Sequence, residues 1–206
     1  TRGFLYDANG MQALPTFGGA NSSAAGINDA GWIVGQATDA AGEPQAFILD
    51  ASGMHALTYP EPSSITTYGI NNSGQVVGGI WLIGSRVTSA FSTGISGSPS
   101  PLDVFGGAIS QAYAINDLGQ FVGGATRLTF GDEHAFLYDG TGFLDLGTLG
   151  GEWSAAFGIN NAGQVVGWSI DADNDRERAF LYSHGQMIDL NTQIDPALGW
   201  HLWQAN

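Results

Sequence analysis

Apolar residues in this chain come in short runs, broken by glycine and by Asn-Asp or Asn-Asn pairs, with no sustained helical period. The runs recur. Ile27-Asn28-Asp29-Ala30 returns as Ile70-Asn71-Asn72-Ser73, Ile115-Asn116-Asp117-Leu118 and Ile159-Asn160-Asn161-Ala162, at intervals of 43, 45 and 44 residues. A glycine follows each tetrad (Gly31, Gly74, Gly119, Gly163), and a Val-Gly pair follows that: Val34-Gly35, Val77-Gly78, Val122-Gly123 and Val166-Gly167. A second landmark runs in phase: Phe4, Phe47, Phe91, Phe136 and Phe180. The repeat units fall at about 1–45, 46–89, 90–134, 135–178 and a partial 179–206, in one repeat domain.

Each unit reads as four short strands. In the best-formed copy, strand a is Ala135 to Asp139, strand b Phe143 to Leu146, strand c Ser154 to Asn160 and strand d Gln164 to Trp168. The Gly-Gly pairs read as links between strands. Asn-x-x-Gly between c and d is hairpin chemistry. Asn and Asp bond their own downstream backbone, and Gly takes φ > 0 at low cost. The repeated Asn and Asp therefore have a structural role rather than a catalytic one.

Strand c is apolar and rich in small residues, as in Ala24-Ala25-Gly26-Ile27 and Ala112-Tyr113-Ala114-Ile115. Small residues suit convergence on an axis, so c is expected innermost, followed outward by d, a and b. Four strands in about 44 residues match the period of a propeller blade. The expected fold class is all-β: a β-propeller of four-stranded blades, five-bladed, with the last blade composite and incomplete. Four blades occupy about 21–59, 64–103, 108–146 and 152–190. Strands a and b of residues 1–14 and a partial c of residues 199–206 are expected to share the fifth, whose strand d is missing. A strand from elsewhere would fit that gap. The pattern buries Ala25, Ile27, Ile70, Ala114, Ile115, Ile159, Val34, Val77, Val122, Val166 and all five landmark Phe.

Charge changes the picture by exclusion. Five Arg and no Lys stand against 19 acids, a formal net charge of −14. Nucleic acid needs clustered cations and is excluded as a partner. An anionic membrane surface is disfavoured on the same ground. There is no Cys, hence no disulfide, thiolate metal site or cysteine nucleophile. No apolar run is long enough for a membrane-spanning helix.

Leu146-Gly147-Thr148-Leu149-Gly150-Gly151, the stretch Ala155 to Gly167 and the tripeptide His134-Ala135-Phe136 resemble the HAF-type extracellular repeat family. The resemblance covers the whole chain, is strongest over residues 134–183 and weakens at 90–107, where Phe91-Ser92-Thr93-Gly94 replaces Phe-Leu-Tyr-Asp. It implies a bacterial protein, secreted or surface-associated, with a repeat fold and no reaction to carry across. The place of the family's His holds Arg2, Gln45, Ser89, His134 and Arg178, which argues against a chemical role for His134.

Three local features could carry chemistry. Asp171, Asp173, Asp175 and Glu177 alternate along one hairpin loop, as oxygen ligands for Ca²⁺ do, although the loop lacks the Gly and the final Glu of an EF-hand. Asp103, Asp145 and Asp189 share one repeat position; paired carboxylates serve glycoside hydrolysis, but equivalent sites on separate blades lie too far apart. Six Trp could stack on sugars, most of them being expected between blades. His55, His134, His184 and His201 show no metal-ligand spacing. The expected function is a non-catalytic extracellular module for binding a protein or glycan at the cell surface, or for self-assembly by strand donation. The alternative is a carbohydrate-active propeller, either glycoside hydrolase or lectin.

Overall fold

The computed structural model describes residues 1–93, 98–128, 131–173 and 176–206. It is all-β, and none of its sheets closes on itself. The chain forms two compact units, Thr1–Leu102 and Asp103–Asn206.

The first unit opens with a hairpin of β1 (Phe4–Asp7) and β2 (Gly10–Ala13). An antiparallel sheet follows in the order β3 (Gly18–Ile27), β4 (Ile33–Asp39), β5 (Pro44–Asp50) and β6 (Gly53–Ala56). The next repeat supplies β7 (Ser63–Ile70), β8 (Val76–Leu82), β9 (Thr88–Thr93) and the two-residue β10 (Ser100–Pro101). The second unit holds β11 (Gly106–Ile115), β12 (Phe121–Arg127), β13 (Glu133–Tyr138) and β14 (Phe143–Gly147). Its last sheet is β15 (Gly150–Ile159), β16 (Val165–Asp171), β17 (Glu177–Ser183) and β18 (Gln186–Asp189). Every repeat is thus an antiparallel c-d-a-b meander, as the sequence pattern predicts.

Strand c is longer than expected. The glycine pairs Gly18-Gly19, Gly106-Gly107 and Gly150-Gly151 are not links but the first residues of c strands. Gly150 pairs with Asp171, and the register then shifts before Ser154. Glycine is needed there because a Cβ on Gly151 would crowd the Ile170 side chain at 2.7 Å. A second shift recurs in all four c strands, between Ala24 and Gly26, Thr67 and Gly69, Ala112 and Ala114, and Ala156 and Gly158. Bulges of this kind bend a strand and raise its twist.

The two faces of a repeat pack on different neighbours. In the first unit Ile33, Ala37 and Phe47 pack with Leu14 and Leu5 of the hairpin. The opposite face, Val34, Ala46 and Ile48, packs against Ile65, Ile70 and Phe91 of the next repeat. In the second unit Val122, Ala135 and Leu137 pack against Ala156, Val165 and Phe180. Each landmark Phe in these clusters therefore faces the preceding repeat. Phe47, Phe91, Phe136 and Phe180 are completely buried, each contributing roughly 1.5–3 kcal/mol.

The burial pattern needs correction at the edges. Phe4 is 57% exposed and Ile27 55% exposed, and Ala25 is exposed too. Ala114, Ile115, Ile159 and Val166 are half-buried, while Ile70, Val34, Val77 and Val122 are buried. The physical reason is the neighbour rule. Ile70 packs with Val34 of the repeat before it, and Ile27 has no such valine against it among the described residues. Val166 lies beside the C-terminal segment; a Cβ on its pairing partner Gly158 would stand 3.2 Å from Asn206.

That segment keeps the repeat's place without forming a strand. Ala179 N–H donates to Leu202 O at 2.9 Å, just as Gly3 N–H donates to Ser22 O at 2.7 Å. Leu202 thus stands where Ser22 stands within the c strand β3. Two 3₁₀ turns, Leu190–Gln193 and Pro196–Leu198, precede it. Asp189 and Asp195 cap them, and Pro196 sits at the first turn, so helical structure enters where none was expected.

Candidate functional site

The repeated polar residues form a ladder of turns. Asn71 Oδ1 accepts from Ser73 N–H and Gln75 N–H at 3.1 and 2.9 Å, while its amide donates to Gln75 Oε1 at 2.8 Å. Asn116 and Asn160 do the same with Gln120 and Gln164. The turns also bond between repeats. Asn28 Nδ2 donates to Asn71 O at 3.1 Å, and Asn116 Nδ2 to Asn160 O at 3.0 Å. The second turn residues cross-link in turn: Asn72 Nδ2 donates to Asp29 Oδ2 at 2.8 Å, and Asn161 Nδ2 to Asp117 Oδ2 at 3.2 Å. This explains why Asp and Asn alternate along the chain. A carboxylate beside an amide makes a charge-assisted bond, whereas two carboxylates would repel. The residue after the turn glycine is Gln in three of the four copies (Gln75, Gln120 and Gln164, with Trp32 in the first), and this recurrence is the sequence signal of the ladder.

The titratable residues gather at the other end of the outer strands. His134, at the start of β13, is buried. Its Nδ1 lies 2.8 Å from Asp145 Oδ1 at the end of β14, and its Nε2 lies 3.6 Å from Asp132 Oδ2. Arg127, ending β12, grips Asp132 with Nε and Nη2 and stands 3.8 Å from Asp145. The Arg127 hydrogen bond holds the Asp132 carboxyl below the usual aspartate range. Burial pushes Asp145 upward, but the His134 hydrogen bond, the Gly147 N–H and the charges of His134 and Arg127 outweigh it and leave that carboxyl lowered. Burial raises the neighbouring Glu133.

The fourth repeat rebuilds this clasp with other residues. Arg178 stands where His134 stands in the third and bonds Asp171 Oδ2 from Nε and Nη2 at 3.2 and 3.0 Å. It also lies 3.5 Å from Asp189. In the first repeat Gln45 reaches Asp39 at 3.4 Å, and in the opening hairpin Arg2 donates to Leu14 O at 2.9 Å. At this position His134 and Arg178 reach partners on both sides of strand a, Gln45 reaches strand d, and Arg2 reaches the residue after strand b. The variable place that argued against a chemical role for His134 is a structural one.

The proposed carboxylate set is distributed accordingly. Asp145 and Asp189 serve these clasps, and Asp189 also accepts from Asn191 N–H; Asp103 accepts from Gly106 N–H at 3.1 Å. Of the acidic hairpin, Asp171 is turned onto Arg178, and Asp173 and Glu177 are exposed. Asp175 lies outside the described residues. Among the described residues no three His, Asp or Glu side chains stand together as a metal-holding group. His55 bonds Ser52 and Asp50 in an exposed hairpin, His184 occupies a turn at φ 53° and His201 is exposed.

The tryptophans are more exposed than expected. Trp32 packs at the edge of the first unit's core, and Trp168 is half-buried. Trp81, near the end of β8, Trp153, in β15, and Trp200 and Trp203, in the C-terminal segment, are exposed. No helix among the described residues is long and apolar enough to cross a membrane. Compared with protein-family models and with curated proteins, the sequence matches none.

Proposed function

We propose that this chain is a non-catalytic β-propeller module of the HAF-type extracellular repeat kind, which acts outside the cell by binding a surface protein or glycan or by assembling through its strand edges. The observation that supports this most directly is the use of the polar repeat. The Asn and Asp side chains that recur most regularly are spent on turns and on bonds between turns. The carboxylates that could have served hydrolysis, Asp145, Asp189 and Asp103, lie against His134, against Arg178 and Asn191 N–H, and against Gly106 N–H. The deficit of cations and the acidic surface suit a soluble partner in preference to nucleic acid.

A carbohydrate-active reading draws on the exposed Trp153, Trp200 and Trp203, whose amphipathic rings suit a partly wet binding face. One experiment separates the two. The purified chain is incubated with chromogenic glycosides and a polysaccharide panel, and both turnover and retention are measured. The expected result is no hydrolysis above buffer. Turnover that disappears in Asp145→Asn or Asp189→Asn would overturn the non-catalytic reading. Retention on a glycan without turnover, lost in Trp153→Ala, would identify the ligand class.

A further inference from the structure

One link in the first unit departs from the repeat. The c strands β3, β11 and β15 open on a glycine pair. Gly18 stands at φ 103°, and a Cβ on Gly19 would overlap the Asp39 carbonyl oxygen. One repeat further on, Glu61 and Pro62 hold these two places. A glutamate and a proline cannot follow the glycine path. β7 accordingly begins at Ser63 and runs in regular register with β8 as far as Thr67, without the shift seen after Gly18 and Gly150. A pocket of about 240 Å³ lies between the link of residues 57–62, the start of β5 and the start of β7.

The floor of this pocket is apolar. Ala46 and Ile65 are buried, and Leu57 and Tyr59 pack on the same core. Two hydrogen bonds hold the floor in place: Leu57 N–H donates to Ala46 O at 2.9 Å, and Gln36 Nε2 donates to Ile65 O at 2.7 Å. The rim is polar and comprises Gln45, Thr58, Tyr59, Glu61 and Ser63. Gln45 makes one long bond, to Asp39 at 3.4 Å. The side chains of Thr58, Tyr59, Glu61 and Ser63 make no hydrogen bond among the described residues. The recurring polar residues bond within the fold, whereas these four leave their donors and acceptors to whatever enters the pocket.

That combination selects a ligand. The volume lies below the roughly 300–1,000 Å³ of a drug-sized site and suits one small ring. An apolar floor under hydroxyl, amide and carboxylate groups matches a pyranose, which carries C–H faces and a belt of hydroxyls. A purely apolar group would cover the rim without pairing it, at a cost. Glu61 is the sole charged group in the lining among the described residues, so an acidic ring is disfavoured. We infer that this pocket is a binding site for one neutral sugar ring of a glycan. Glu61 accepts from ring hydroxyls, Gln45 and Ser63 donate to them, and Tyr59 and Ile65 meet the C–H face. The assignment rests on the glycan arm of the proposed function and places it away from the exposed tryptophans.

The test titrates the full chain, isotopically labelled, with methyl glycosides of glucose, galactose, mannose and N-acetylglucosamine, and with glucuronate as the acidic counterpart. The expected result is saturable millimolar binding of at least one neutral glycoside, with amide shifts centred on Gln45, Tyr59 and Ser63. Glucuronate should bind at least about tenfold more weakly, because its carboxylate meets Glu61. Glu61→Ala trims an exposed side chain without an internal hydrogen bond, so the fold is kept. It should weaken the neutral glycoside at least about tenfold, the loss of one charge-assisted hydrogen bond. No saturable binding of any neutral glycoside, shifts that fall elsewhere, glucuronate bound as tightly as the neutral rings, or unchanged affinity in Glu61→Ala would each overturn the assignment. The two readings fail separately. Glycan retention lost in Trp153→Ala but intact in Glu61→Ala removes this pocket and leaves glycan binding standing. Turnover lost in Asp145→Asn overturns the non-catalytic reading and leaves the pocket untouched.

Discussion

Phe4 and Phe180 occupy the same place in the repeat and meet opposite fates. Phe180 starts a strand flanked by β16 and β18 and packs onto Val122 and Ala135 of the repeat before it; it is fully buried. Phe4 starts an equivalent strand that pairs with one strand, β2, among the described residues, and it is 57% exposed. The difference lies in the neighbours. A repeat carries the instructions for its own strands, but its hydrophobic faces are completed by the copies on either side, so stability is shared along the array.

This comparison breaks first at the phenylalanines. Phe180→Ala or Phe136→Ala removes a fully buried ring and is expected to cost about 3–5 kcal/mol. Phe4→Ala should cost about 0.5 kcal/mol or less, as at most surface positions. Urea denaturation of the three variants checks this. Equal losses at Phe4 and Phe180 would mean that the hairpin's face is covered in solution.

The next effect concerns the glycine that faces the ring. A Cβ on Gly123 would overlap the Gln111 carbonyl oxygen and stand 2.9 Å from the Phe136 ring. Gly123→Ala is therefore expected to destabilise by about 1–3 kcal/mol through overpacking. Gly142 has open space around it and no positive φ. Gly142→Ala should stay within about 0.5 kcal/mol of the parent. Thermal melts of the pair give the contrast.

The repeat made much of this legible. Four strands per unit, their c-d-a-b order and the burial of four landmark Phe all follow from residues that recur at fixed spacing. The limits were equally physical. Glycine pairs look like turns in a sequence, and only the bulged pairing of Gly150 with Asp171 shows them inside a strand. The exposure of Ile27 depends on a Val that would have to come from another strand, so identity with Ile70 could not reveal it. The clasp was hidden because its central position varies among Arg, Gln, Ser and His, and its members come from segments far apart in sequence, as with Arg127, His134 and Asp145 on β12, β13 and β14.

The turn ladder offers a smaller contrast. Asn116→Ala removes three bonds within its own turn and one to Asn160 O. Loss of such a buried cap is expected to cost about 1–2 kcal/mol. Asp117→Asn replaces an exposed carboxylate that meets Asn161 at 3.2 Å and should cost only a few tenths, because an amide oxygen still accepts the bond. A double-mutant cycle of Asp117→Ala with Asn161→Ala, whose side chains bond each other across the two turns, should show a combined loss below the sum of the single losses if the turns act as one ladder.

The smallest expected effect separates the third repeat's clasp from that of the fourth. Asp132 has its carboxyl lowered chiefly by the Arg127 hydrogen bond, with burial opposing and the charges of Arg127 and His134 assisting. A carboxyl lowered in the folded state adds stability that is complete above the unfolded aspartate pKa and is lost as pH falls through the folded value. Asp145, also lowered, acts in the same window and with the same sign. The third repeat should therefore weaken on acidification below the ordinary aspartate range, while Arg127 keeps its charge throughout. Asp132→Asn is expected to flatten the acid limb of the stability profile and to lower stability at neutral pH by about 1 kcal/mol or less, since Arg127 stands partly in solvent and the pair is screened. Asp173→Asn in the fourth repeat changes an exposed acid outside its clasp and should leave the profile unchanged. Urea titrations at neutral and acidic pH decide it. An unaltered acid limb in Asp132→Asn would show that the clasp positions strand ends without contributing to pH-dependent stability.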